Sequence, residues 1–102
     1  MGDTFREISN STIINRSLVQ GAVNTLQQQD QQAAADAVEK VAELVEQSGN
    51  AEAIEYLDTF NEELARPEPR KSILRSMWSG ILAAVPAITG AIGVVEGIEG
   101  LF

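Results

Sequence analysis

The stretch Ser76–Val95, SMWSGILAAVPAITGAIGVV, contains no charged residue, and its reading decides the fold. As one helix it would span roughly 30 Å, the thickness of a bilayer's hydrocarbon core. A basic flank of Arg66, Arg70, Lys71 and Arg75 precedes it, and Trp78 lies near the same end, the arrangement of an interfacial anchor. Whether this segment meets lipid, a partner or the chain's own core settles both architecture and function.

Within the tail, 72–102, Ser72 can cap a helix with two contrasting faces. The large face holds Trp78, Ile81, Leu82, Val85, Ile88, Ile92 and Val95, preceded by Leu74 and Met77 and followed by Ile98, at spacings of three and four. The small face includes Gly80, Ala84, Ala87, Ala91, Gly93 and Gly97. Gly80 with Ala84, Ala87 with Ala91, and Gly93 with Gly97 have the four-residue spacing that lets two helix backbones approach closely, so they are the candidates for self-association. Pro86 should kink or split the helix. Three readings stay open: a membrane-active helix, two short core helices divided at Pro86, and an amphipathic helix docked into another protein's groove.

Outward from the tail, Arg66–Lys71 reads RPEPRK. Alternate prolines cannot continue a helix, so 66–71 is a stiff basic linker and the best boundary in the chain. Its basic residues also suit a trypsin-like cleavage, although a plain helix–helix linker explains it as well.

The preceding segment, 18–65, is an acidic helical body. Its first helix is expected from Leu18 to about Gln29, striped by Leu18, Val19, Ala22, Val23 and Leu26. The glutamine-rich tract Gln27–Gln32 reads as a joint with Asp30 as the next N-cap, in preference to a polar face on one continuous helix. A second helix covers Gln31–Gln47 on the stripe Ala34, Val38, Val41, Ala42 and Val45, and Gly49 suits the left-handed stop. Asn50 caps a third, Ala51 to about Ala65, whose Ile54, Leu57, Phe60 and Leu64 form the cleanest stripe. Residues 1–17 read either as a hairpin around Asn10-Ser11 or as an irregular arm with Ser17 as the first N-cap. The fold class is therefore all-α, a small bundle of four or five helices with a short extended or hairpin arm.

Composition narrows the chemistry. The chain has 102 residues, no cysteine and no histidine, which leaves no thiolate, no disulfide and no imidazole base. Tyr56 and Asp58 fall on a helix surface or rim. We expect no enzyme, no catalytic residue, no cofactor and no metal site. The net charge of −8 is concentrated in the body, where Lys40 is the one cation between Asp30 and Glu63, and this argues against nucleic acid as a partner. The basic flank could instead meet an anionic membrane. The start, MGDTFREIS, lacks an apolar signal region, and Arg6 stands where a myristoylation motif wants Ser or Thr. A cytoplasmic location is expected, membrane-associated only if the tail meets lipid.

The opening GDTFREISNSTIINRS, the break Ser48-Gly49-Asn50, the run FNEEL-x-x-PEP-x-KS from Phe60 to Ser72 and the final Leu101-Phe102 resemble a group of small bacterial helical proteins. The same segments also resemble appendages of multidomain bacterial proteins, including signalling and defence proteins. That resemblance implies a bacterial, non-enzymatic accessory module and transfers no functional residue. The expected function is self-association, with itself or another protein as partner. The alternative is a conditional membrane-active effector whose tail is kept covered by the body until release.

Overall fold

The computed structural model describes residues 14–102, which form five α-helices and one 3-10 helix and, among those residues, no strand. The helices are α1 (Arg16–Gln28), α2 (Gln32–Ser48), α3 (Ala51–Leu64), α4 (Lys71–Ala84) and α5 (Ile92–Glu99), with the 3-10 helix Pro86–Gly90 between the last two. The fold is all-α, as the hydrophobic spacing predicts. The hairpin or arm expected over 1–17 falls outside the described residues as far as residue 13.

Local chemistry sets each boundary. Asn15, not Ser17, caps α1, accepting the N–H groups of Ser17 and Leu18 at 3.0 and 3.3 Å. The glutamine-rich joint is present, but Asp30 is not a cap. It adopts φ +60°, a left-handed conformation Asp tolerates better than most residues, and this returns the Gln31 N–H to the Leu26 carbonyl at 2.8 Å. The end of α1 is thus closed by backbone, and Gln31 starts α2 without a side-chain cap. Gly49 takes φ +66° at the end of α2, and Asn50 then accepts the Ala53 N–H at 3.0 Å to start α3.

Ser72 does not cap α4. The Arg70 N–H donates to the Glu63 carboxylate at 2.8 Å, which fixes the chain before Ser72 and starts the helix at Lys71. Pro86 divides the tail as expected: α4 ends at Ala84, and Pro86 opens the 3-10 helix, where its missing N–H is harmless.

The division lets the two halves of the tail pack on different helices. The most extensive pairing is α3 with α4; α1 lies against α2 and α3, and α5 returns to α2. Ile54, Leu57, Phe60 and Leu64 are all buried, as the α3 stripe requires. Trp78, Ile81, Val85, Ile88 and Ile98 join the same core, each burial worth at most about 1.5–3 kcal/mol. No helix among the described residues is long and apolar enough to cross a membrane.

Candidate functional site

The large face of the tail is mostly interior. Trp78, Ile81, Val85 and Ile88 are buried, and Leu82 and Val95 are half-buried against the core. Trp78 is fixed twice: its ring lies 6.3 Å from that of Phe60, and its Nε1–H donates to Glu99 at 3.1 Å. The second contact ties α4 to α5 across the 3-10 helix. Ile92 is the exception, 68% exposed and the one large hydrophobic among the described residues left so open.

The small face does not stay together, because the break at Pro86 rotates α5 away from α4. A Cβ on Gly80 would lie 2.8 Å from the Tyr56 ring, so this glycine makes room for an α3 side chain. Ala84 is half-buried, and its carbonyl accepts the Asn50 side-chain amide at 3.3 Å. Ala87 is exposed. A Cβ on Gly97 would meet Ala37 Cβ at 2.9 Å and the Ala33 carbonyl at 3.1 Å, so α5 touches the backbone of α2 there. A Cβ on Gly93, one turn earlier, would meet nothing within 4 Å among the described residues. Close helix approach through small residues is therefore used within the chain at Gly80 and Gly97, while Ala91 and Gly93 line an open surface.

That surface is a groove of about 460 Å³ between α2 and α5. Its α2 side is the stripe Ala33, Asp36, Ala37 and Lys40; its α5 side is formed by Ala91, Ile92, Gly93 and Val94. Small residues hold the floor low, Ile92 stands beside it, and opposite charges one helical turn apart mark the rim.

The contrast between two glycines gives a direct test. Alanine adds helix propensity worth up to about 1 kcal/mol in either position. At Gly93 the methyl enters open space, so Gly93→Ala should raise the denaturation midpoint. At Gly97 it must displace α5, and overpacking of about 1–3 kcal/mol outweighs the propensity gain. Gly97→Ala should therefore lower the midpoint; matching gains for both variants would show that α5 does not rest on α2.

The basic flank divides into two pairs. Arg66 and Arg70 both address Glu63, whose side chain is only 4% exposed, at 3.3 and 3.2 Å. Lys71 and Arg75 are exposed at the start of α4, with Lys71 at the edge of a hollow of about 300 Å³ lined by Leu26, Leu64, Leu74 and Leu101. Bonds from the Arg70 guanidinium, then from the Arg70 backbone N–H, hold the Glu63 carboxyl below the usual glutamate range against the opposing effect of burial. The same pair pushes the Arg70 guanidinium up. Asp58 moves the other way: burial raises its carboxyl, the Asn15 N–H at 3.3 Å opposes, and nearby Glu62 adds to the rise.

Glu63 thus acts as a clasp with a defined acid limit. Its folded pKa is depressed, so its stabilisation is complete above the ordinary glutamate range and is lost as pH falls through the lower, folded value. Glu63→Gln should be less stable than the parent at neutral pH, with the gap closing on acidification below that range. Thermal melts of the two proteins across pH check this, and a gap independent of pH would refute the clasp.

Sequence spacing does not single out Glu63, and it places Ile92 with the large face rather than at an open groove. Glu63 had a readable signal, an acid at the end of a helix with Arg66 three and Arg70 seven residues on. Ile92 had none, since it shares its spacing with the buried large face. Comparison with protein-family models, with curated proteins and with solved structures finds no match for this chain.

Proposed function

We propose that the chain is a non-enzymatic module that works by self-association, of the bacterial accessory type found with signalling and defence proteins. The observation that carries this reading is Ile92, open to solvent beside an apolar groove on a tail whose other large apolar side chains are buried or half-buried. An apolar patch with a polar rim is what an interaction surface presents. Light scattering across a wide concentration range is expected to give a mass rising above that of the monomer. A strict monomer throughout overturns the reading.

The competing proposal, a conditional membrane-active effector, requires the tail to leave the body. The side chains that would enter lipid are Trp78, Ile81, Val85 and Ile88, which are packed in the core. Arg66 and Arg70 would have to give up Glu63 to reach lipid headgroups. The folded chain is therefore expected to stay unbound in flotation with anionic vesicles at neutral pH. Because that proposal also keeps the tail covered until release, the fragment 72–102 decides it: a fragment that neither binds nor permeabilises those vesicles overturns the membrane proposal, and an active fragment beside a silent full-length protein favours it.

A further inference from the structure

Resting on the self-association reading, we infer that the α2–α5 groove is the contact face and that its occupant is a second copy of this chain, related by a two-fold axis crossing α2 between Asp36 and Lys40. Charge is the reason to commit to a second copy. The chain carries a net charge of −8 and repels itself over most of its surface. Lys40 is the single cation between Asp30 and Glu63, and it stands on the groove rim one turn from Asp36. The rim is thus a place where two acidic bodies can meet with charges matched.

A two-fold contact is self-complementary, so residue i meets residue j and j meets i. With the axis between them, each Asp36 faces Lys40 of the partner subunit, and the pair forms twice. Neither residue is firmly engaged among the described residues. Lys40 Nζ is 3.8 Å from Glu43, Asp36 accepts the exposed amide of Gln32 at 2.8 Å, and both are solvent-exposed. Beside the axis, Ile92 of one copy can enter the low floor over Ala37 and Gly93 of the other. The close approach of α5 to α2 at Gly97 leaves that floor in place without closing the groove over Gly93.

The test measures the mass of full-length protein against concentration, by light scattering, for the parent and five variants. Asp36→Lys and Lys40→Asp should each weaken association by about tenfold, because symmetry turns each reversal into two like-charge contacts. The double reversal should restore it. Gly93→Leu fills the groove from a position with open space above it, and should leave a folded monomer by circular dichroism; Ile92→Asp should do the same. If the parent is monomeric, this surface and the self-association reading fall together. If the parent associates and Gly93→Leu and Ile92→Asp associate as well as it does, the surface is wrong and self-association stands. Single reversals without effect, or a double reversal that fails to restore, overturn the two-fold arrangement.

Discussion

Phe60→Ala is expected to remove about 3–5 kcal/mol of stability, from a total that for such domains is about 5–15 kcal/mol. Phe60 is 1% exposed on α3, and its ring lies 6.3 Å from Trp78 and 6.4 Å from Phe102. Truncation therefore opens a cavity where the body, α4 and the C-terminal residues converge. Trp78 is the chain's single tryptophan, so its fluorescence reports this point directly. The denaturation midpoint should fall with little change in slope, and fluorescence and circular dichroism should report the same transition. A double-mutant cycle with Trp78→Ala should give a coupling of about 0.5–1.5 kcal/mol, the value of an aromatic pair beyond its buried area. A loss below about 1 kcal/mol, or a Trp78 transition that precedes the helical one, would mean that the tail is not part of a common core.

The convergence at Phe60 separates what was legible in the sequence from what was not. The stripe Ile54, Leu57, Phe60 and Leu64 could be read because helical periodicity is local, and so could the stops at Gly49, Asn50 and Pro86. The destination of the tail could not. Large residues every three or four positions satisfy lipid, a partner groove or a core equally well, and only the reversal through Pro86–Gly90 decides among them. That turn takes α5 back to α2 while α4 stays on the neighbouring α3, and the α2–α5 contacts join residues far apart in sequence. It also divides the small-residue face, so that Gly97 is committed to α2 while Gly93 stays open.

Errors of capping had the same origin. Ser72 and Asp30 are good cap residues by type, but a nearby backbone geometry displaced each of them. The Arg70 N–H already had Glu63, and the Gln31 N–H already had the Leu26 carbonyl. Ile92 shares the spacing of the large face and is not distinguished from it by sequence. Its exposure follows from its place at the first residue of α5, directly after the turn, where the groove is still open.

Asn61→Leu is expected to stabilise the protein by about 2 kcal/mol. Asn61 is fully buried on α3, next to Phe60, and neither its Nδ2 nor its Oδ1 has a hydrogen-bond partner among the described residues. Each buried polar group left unpaired costs about 1–3 kcal/mol. Leucine has the same side-chain branching, so it removes both penalties and adds apolar burial, offset in part by the larger volume of two methyl groups. The melting temperature should rise by about 10 °C for a domain of this size. A loss of stability instead would mean that the amide is satisfied in solution, for example by a buried water. The same variant also bears on function, because Asn61 is not among the residues that line the α2–α5 groove. Docking between intact bundles should leave the self-association of Asn61→Leu unchanged while its stability rises. If association falls as stability rises, the chains associate through an opened bundle, in which α4 and α5 exchange partners, and the groove is not their contact face.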